Sequence, residues 1–198
     1  EVMAGFGRTG EWLAIDHWGV TPDLITFAKG VNSGYVPLGG VIISEEVYSS
    51  FVDRQYPGGL TYSGHPLACA AAVATITAMR DEGMIENAKR LGEEVIGPRL
   101  EEIKAKHPSV GDVRGLGCFW AIELVKNRET REPMAPYGGS SDAMNAVLGA
   151  IKEGGILPFA NFNLNPFRKI PFSQHFSYTA GNTSTHPCNT FNFCRRQT

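Results

Sequence analysis

Acidic residues run out before the chain does. Glu153 is the last of 20, and the 45 residues from 154 to 198 contain neither Asp nor Glu. Long apolar runs are missing as well. None approaches the roughly 20 residues that a membrane-spanning helix needs, and no basic leader with an apolar stretch opens the chain. Net charge is nearly absent, with 18 basic residues against 20 acidic, so the electrostatic footprint of a nucleic-acid or anionic-membrane binder is lacking. Cysteine is sparse. Cys69, Cys118, Cys188 and Cys194 make neither a paired framework nor a C-x-x-C site. Cys69 falls in an Ala-rich run and Cys118 in a strand-like one, where small buried thiols are expected, and this usage suits a reducing, cytoplasmic setting. His175 and His186, near Cys188 and Cys194, match no zinc spacing, so no metal site is expected.

What is present is enough apolar residue (42% of 198) for one ordinary domain or two small ones. Residues 1–10 read as a strand end and a Gly-rich loop, 22–28 and 38–44 as strands, and Ser44 as the cap of a short helix with Glu45 and Glu46 in its first turn. The Gly- and Tyr-rich stretch 54–64 has no period and reads as a loop. Residues 66–80 are apolar on nearly all sides, the mark of a buried helix. In 84–106, Ile85, Ala88, Leu91, Val95, Leu100 and Ile103 recur at helical spacing. Residues 110–125 cluster β-formers around Gly111, Gly115 and Gly117, a hairpin pattern in which Arg114 is expected to bond backbone carbonyls. Ser141 and Asp142 open a helix that ends at Gly154 and Gly155, ahead of a short strand at 156–158. Strand and helix mixed throughout argue for an α/β class.

Lys29 is the leading candidate for chemistry. It ends the apolar run Asp23-Leu24-Ile25-Thr26-Phe27-Ala28 and precedes Gly30-Val31-Asn32-Ser33-Gly34. A strand that ends in a turn delivers its last side chain to the rim of a sheet, where α/β proteins bind ligands. Walled by Phe27 and Val31, the lysine becomes a Schiff-base candidate, because desolvation favours the neutral amine that condenses with an aldehyde. Thr61-Tyr62-Ser63-Gly64 reads as an anion nest: a Gly-rich backbone and two hydroxyls ahead of a helix starting at Pro66. His65, beside that proline, is expected to cap the helix.

Glu1-Val2-Met3-Ala4-Gly5-Phe6-Gly7-Arg8-Thr9-Gly10, the Lys29 stretch, and Gly58-Gly59-Leu60-Thr61-Tyr62-Ser63-Gly64-His65-Pro66-Leu67-Ala68 stand in register. Together they resemble the class III (ω-type) aminotransferases, from Glu1 nearly unbroken to Asn163. The resemblance implies pyridoxal-phosphate-dependent fold type I, with 1–84 closing the large domain and 85–163 forming the small C-terminal α+β domain. It implies pyridoxal 5'-phosphate held by Lys29, Val2 against its pyridine ring, and Thr61 at the phosphate of a partner subunit's cofactor in a homodimer with shared sites. Arg8 and Tyr35 are candidate site-lining residues. The implied reaction moves an amino group between an amine or ω-amino acid and a keto acid. An aminomutase or racemase would use the same lysine, and a truncated product would be inactive.

Two features depart from the pattern. The chain opens inside a motif and without Met, so a piece of a longer protein is expected. The aspartate that the family places before Glu1, at the pyridine nitrogen, falls outside the sequence. From Leu164, where the family places an arginine, the chain holds five of its 11 Phe in no regular period. Residues 164–198 are therefore read as an atypical tail, of the character that an out-of-frame translation has.

Overall fold

The computed structural model describes residues 1–158 and 160, and the backbone of 193–195. The chain starts not with a strand end but with turns over 2–9, the first closed by the Gly5 amide on the Glu1 carbonyl at 3.1 Å. A 3-10 helix, Ala14–Trp18, follows. β1 (Leu24–Phe27) runs antiparallel to β2 (Gly40–Ile43), with Leu24 opposite Ile43 and Phe27 opposite Gly40. Ser44 then caps α1 (Glu45–Ser49), its Oγ accepting from the Val47 amide at 3.3 Å.

The 54–64 stretch is irregular, as expected, and delivers the chain to α2 (Pro66–Asp81). His65 is the N-cap: its Nδ1 accepts from the Ala68 amide at 3.4 Å, and Pro66 at the first helical position sacrifices no hydrogen bond. The expected all-round burial of this helix does not hold. Only Ala68 and Ala72 are buried, while Leu67 and Val73 are 62% and 66% exposed. Val31 and Leu38 cover one face, Ile76 packs beside them, and the face that carries Leu67 and Val73 stays exposed.

α3 (Met84–Leu91) is joined by a π-helical turn, Gly92–Ile96, to α4 (Gly97–Lys106). β3 (Val110–Leu116) and β4 (Phe119–Asn127) make the expected hairpin, and β5 (Glu132–Pro133) adds antiparallel to β4. α5 (Asp142–Glu153) is capped by Ser141, whose Oγ accepts from the Met144 amide at 3.2 Å. The strand expected at 156–158 does not form; Ile156 and Leu157 are exposed and hydrogen-bond to no strand among the described residues. β6 (Phe193–Arg195) pairs parallel with β2, giving sheet order β1-β2-β6. The remainder of the 164–198 tail, including His175, His186 and Cys188, lies outside the described residues, as does the Cys194 side chain.

The chain divides into two compact units. The first comprises 1–97, the hairpin tip 115–120 and β6. Its core is Val31, Leu38, Ala68 and Ala72, with Phe6, Phe27, Val36 and Ile76 packed against it. The second comprises 98–114 and, among the described residues, 121–158 and 160, with Val110, Val113 and Val125 buried in its sheet. There the expected role of Arg114 falls to another residue. Arg114 pairs with the carboxylates of Asp112 (2.9 Å) and Glu123 (2.8 Å), its strand neighbours on the same face. Arg128 instead bonds the carbonyls: one nitrogen donates to Lys104, His107 and Val110 at 2.6, 2.9 and 2.9 Å, closing the end of α4 onto the start of β3. Among the described residues no helix is long and apolar enough to cross a membrane.

Candidate active site

The first unit builds its site from the N-terminal loop, the turn after β1 and the hairpin tip. The loop rides on α3. Gly7 and Gly10 both adopt left-handed backbone, φ +86° and +87°. A Cβ at Gly7 would stand 2.9 Å from Ile85 Cγ1, and one at Gly10 would stand 2.8 Å from Lys89 Cβ. Ile85 and Lys89 are one helical turn apart, so the loop's three-residue glycine spacing follows the helix face. Only glycine combines that φ with that approach. Glu1 holds the other end: its two carboxylate oxygens accept from the Ala14 and Ile15 amides, each at 3.0 Å. The Phe6 amide bonds the Trp12 carbonyl at 2.7 Å.

Lys29 stands two residues beyond β1 and opens a 3-10 turn, Lys29–Asn32. Its φ of +48° is a left-handed conformation that costs a non-glycine residue about 1–2 kcal/mol and persists where the surroundings over-determine it. Buried Asn32 supplies that determination. Its side chain donates to the Val36 carbonyl and accepts from the Gly34 amide, locking the turn behind the lysine. The expected walls of the lysine are a correction. Val31 and Phe27 face the core, not the amine, because the tight turn sends Val31 toward Ala68 and Ala72. Lys29 itself is exposed, and its Nζ donates to the thioether of Met3 at 2.8 Å.

A cavity of about 570 Å³ opens at this amine. Met3, Phe6 and Arg8 form its wall on the loop side, and Gly30, Ser33 and Gly34 form its wall on the turn side. Met79, Met84 and Ile85 supply an apolar floor. Cys118, expected buried in a strand, is instead exposed at the turn between β3 and β4 and lines the same cavity, because β3 ends at Leu116 and Gly117, left-handed at φ +55°, turns the chain before it. Of the four non-glycine residues with positive φ among the described residues, Phe6, Lys29 and Ser33 line it. Val2 is 37% exposed and adjoins the lining residue Met3. Tyr35, 83% exposed, and Thr61, exposed in the turn that the Ser63 amide closes on Leu60, lie outside the lining.

The structure thus brings together Lys29 and Arg8 and leaves Val2, Tyr35 and Thr61 apart from them. Asn32, Glu1 and Met3 were not singled out from sequence. The signal for Asn32 was available, since an Asn among Gly and Ser after a strand is a standard turn former. The chemistry of the lining suits a phosphorylated aldehyde. It offers one condensable amine whose partner is a weak thioether acceptor, an aromatic edge in Phe6, and no Asp or Glu to repel an anion.

The family model "Aminotransferase class-III" matches residues 1–171 and so reaches past Asn163. A taurine–pyruvate aminotransferase of Bilophila wadsworthia is 40% identical over 79% of this chain and 34% of its own length. A putrescine–pyruvate aminotransferase of Pseudomonas aeruginosa is 44% identical over 70% of this chain and 30% of its own. Among solved structures, the taurine:2-oxoglutarate aminotransferase of Bifidobacterium kashiwanohense, in complex with PLP and glutamate, superposes with a TM-score of 0.76 at 44% identity. It covers 81% of this chain and 36% of that one. The chain therefore spans about a third of the relatives it matches. Over that span it has their α/β fold, and it belongs to the class III aminotransferases.

Proposed function

We propose that a protein carrying this chain is a pyridoxal-phosphate-dependent transaminase that moves an amino group between an amine or ω-amino acid and a keto acid. The observation that carries the reading is Lys29: a strand-end amine in strained backbone, facing a cavity, with a thioether where a surface lysine would hold a carboxylate. The named relatives act with taurine or putrescine and with pyruvate or 2-oxoglutarate, which supports an amine donor and a keto-acid acceptor.

In this reading 1–84 closes the cofactor-binding domain and 85–163 forms the small domain. Lys29 Nζ holds the cofactor covalently, Val2 meets its ring, and Thr61 serves the phosphate of a partner subunit in a homodimer. Bound there, pyridoxal phosphate supplies an electron sink for the pair released when the donor's Cα–H bond breaks. Once displaced by the donor, the Lys29 amine accepts that Cα proton. The Met3 contact holds the side chain on the loop side of the cavity, ready for this transfer. In this reading Tyr35 lines the substrate entrance. The unpaired Cys69 and Cys118 and the near-zero net charge suit a cytoplasmic protein.

The test is borohydride reduction of a longer protein that includes this chain, loaded with pyridoxal phosphate. The adduct is expected on the peptide containing Phe27-Ala28-Lys29-Gly30. Lys29→Ala and Lys29→Arg are both expected to abolish turnover, since neither leaves a condensable amine. An adduct on Lys89 or Lys152 overturns the assignment, and product formed without any keto acid points to a mutase or racemase.

A further inference from the structure

The amine of Lys29 rests on an oxidisable atom. Its Nζ donates to the Met3 sulfur at 2.8 Å, and a thioether is a weak acceptor. Both ends of this contact are fixed. Met3 sits in a turn that the Gly5 amide closes on the Glu1 carbonyl at 3.1 Å, and the Glu1 carboxylate is anchored to the Ala14 and Ile15 amides. Lys29 opens the 3-10 turn that Asn32 locks. A chemical change at the sulfur is therefore felt at the nitrogen, since neither backbone is free to withdraw.

The five methionines differ in access. Met134 is buried, and Met79 and Met144 are half-buried. Met3 and Met84 are 47% and 44% exposed, and both line the Lys29 cavity. Exposure alone makes these two equal targets for a peroxide. Of the two, only the Met3 sulfur accepts from Lys29.

Oxidation turns this weak acceptor into a strong one. The sulfur attacks one oxygen of hydrogen peroxide, so that the S–O bond forms as the O–O bond breaks. Two electrons pass from sulfur to the departing hydroxide, which takes the proton left on the new S–O group and leaves as water. The sulfoxide oxygen carries partial negative charge beside an amine, and its hydrogen bond to the ammonium form is charge-assisted. Condensation with an aldehyde needs the neutral amine with its lone pair free, so a strong acceptor at that position opposes it. The other charged or titratable groups of the lining do not compete for the amine. Arg8 is a cation, the Cys118 thiol donates to the Ala88 carbonyl at 3.8 Å, and the lining contains no Asp or Glu.

We propose that Met3 is a peroxide-sensitive modification site whose sulfoxide reversibly switches off the Lys29 amine. The proposal rests on Lys29 as the condensing amine of the transaminase reading and adds a means of regulating it.

The test uses the longer protein free of cofactor, with Cys118→Ser to remove the cavity thiol, and a limited dose of hydrogen peroxide ended by catalase. Peptide mass spectrometry locates sulfoxide at Met3 and Met84. Reductive methylation with formaldehyde reads the reactivity of Lys29 against Lys89 and Lys152 without any cofactor. Oxidation is expected to lower Lys29 methylation about tenfold, the scale of one strengthened hydrogen bond to a charged group, and to leave the other two lysines unchanged. Met84→Leu should respond in the same way, whereas Met3→Leu should keep its Lys29 reactivity after the same dose. The two methionine sulfoxide reductases, one for each epimer, should restore Lys29 with Met3 itself in place. Loading with pyridoxal phosphate, followed by absorbance, should slow and recover in parallel. A Met3 that stays reduced while Met84 is oxidised would overturn the proposal. So would a Met3 sulfoxide that leaves Lys29 methylation unchanged, or an equal loss in Met3→Leu. Methylation that falls and recovers as expected, with pyridoxal phosphate bound by no form of the protein, would uphold the switch and remove the transaminase reading instead.

Discussion

The amide of Cys118 donates to the carbonyl of Arg8 at 2.8 Å, so the tip of the β3–β4 hairpin and the Gly-rich loop share one backbone hydrogen bond. Gly117 makes the approach possible. It is left-handed at φ +55°, and a Cβ there would lie 2.4 Å from the Thr9 carbonyl carbon and 2.6 Å from the Gly10 nitrogen. On its other side Gly92 presses against it: a Cβ on Gly92 would stand 2.3 Å from the Gly117 oxygen. The π-helical turn that starts at Gly92 falls at this contact.

Gly117→Ala is accordingly expected to displace the 8–10 backbone. The loss combines overpacking against immobile backbone with a non-glycine residue at positive φ, together about 2–4 kcal/mol in a protein carrying this chain. Urea unfolding measures it. Maleimide labelling of Cys118 should accelerate in the same variant, because the amide holding that turn is displaced. Unchanged unfolding and labelling would show that the contact is loose.

Much of this arrangement was legible in the sequence, and the misses share a cause. The Gly-rich loop, the strand ending at Phe27, the Ser44 and Ser141 caps and the His65 cap all depend on residues within a few positions of one another, which is what local pattern reports. Cys118 and Arg114 were misplaced because their partners lie on other elements. A thiol in a β-forming run reads as buried until Gly117 is seen to turn the chain, and an arginine's partner depends on which strand neighbour faces it. Val31 reads as a wall of Lys29 because the two are near neighbours along the chain, yet the 3-10 turn directs their side chains apart. The apolar pattern of α2 predicts burial, but Leu67 and Val73 stay exposed among the described residues.

Arg128 offers a test confined to the second unit. Its one nitrogen serves the carbonyls of Lys104 and His107 at the end of α4 and of Val110 at the start of β3. Arg128→Ala is expected to lower stability by about 1–3 kcal/mol, the scale for losing hydrogen bonds to a charged donor. Denaturant midpoints of the variant and wild type decide it. A midpoint that does not move would show that water replaces the guanidinium without loss.

Acid should weaken the same region. Partial burial pushes the Asp112 carboxyl up, but hydrogen bonds from Arg114, Lys104 and the Val113 amide outweigh it and hold the group below its ordinary value. A carboxylate lowered in the folded state stabilises above its unfolded pKa and loses that contribution as pH falls through the folded one. Exposure limits the gain to less than about 1 kcal/mol. Stability of the wild type should therefore fall below about pH 4 more steeply than that of Asp112→Asn. Parallel acid limbs in the two proteins would assign the loss to other carboxylates.

Thr61 carries the prediction about assembly. It is exposed, precedes the capped N-terminus of α2, and lies outside the lining of the Lys29 cavity. If it holds the phosphate of a partner subunit's cofactor, the Thr61→Ala variant of the longer protein should bind pyridoxal phosphate about 1–3 kcal/mol more weakly. Retention should also fall on dilution, because cofactor bound across an interface stabilises the dimer and is lost with it. Mixing subunits gives the sharper measurement. Lys29→Ala subunits keep Thr61, Thr61→Ala subunits keep Lys29, and a heterodimer of the two has one site with both residues intact. That heterodimer should recover a single tightly held cofactor. Cofactor retained equally at every dilution, or no recovery on mixing, would place both residues in one subunit's site or remove Thr61 from it altogether.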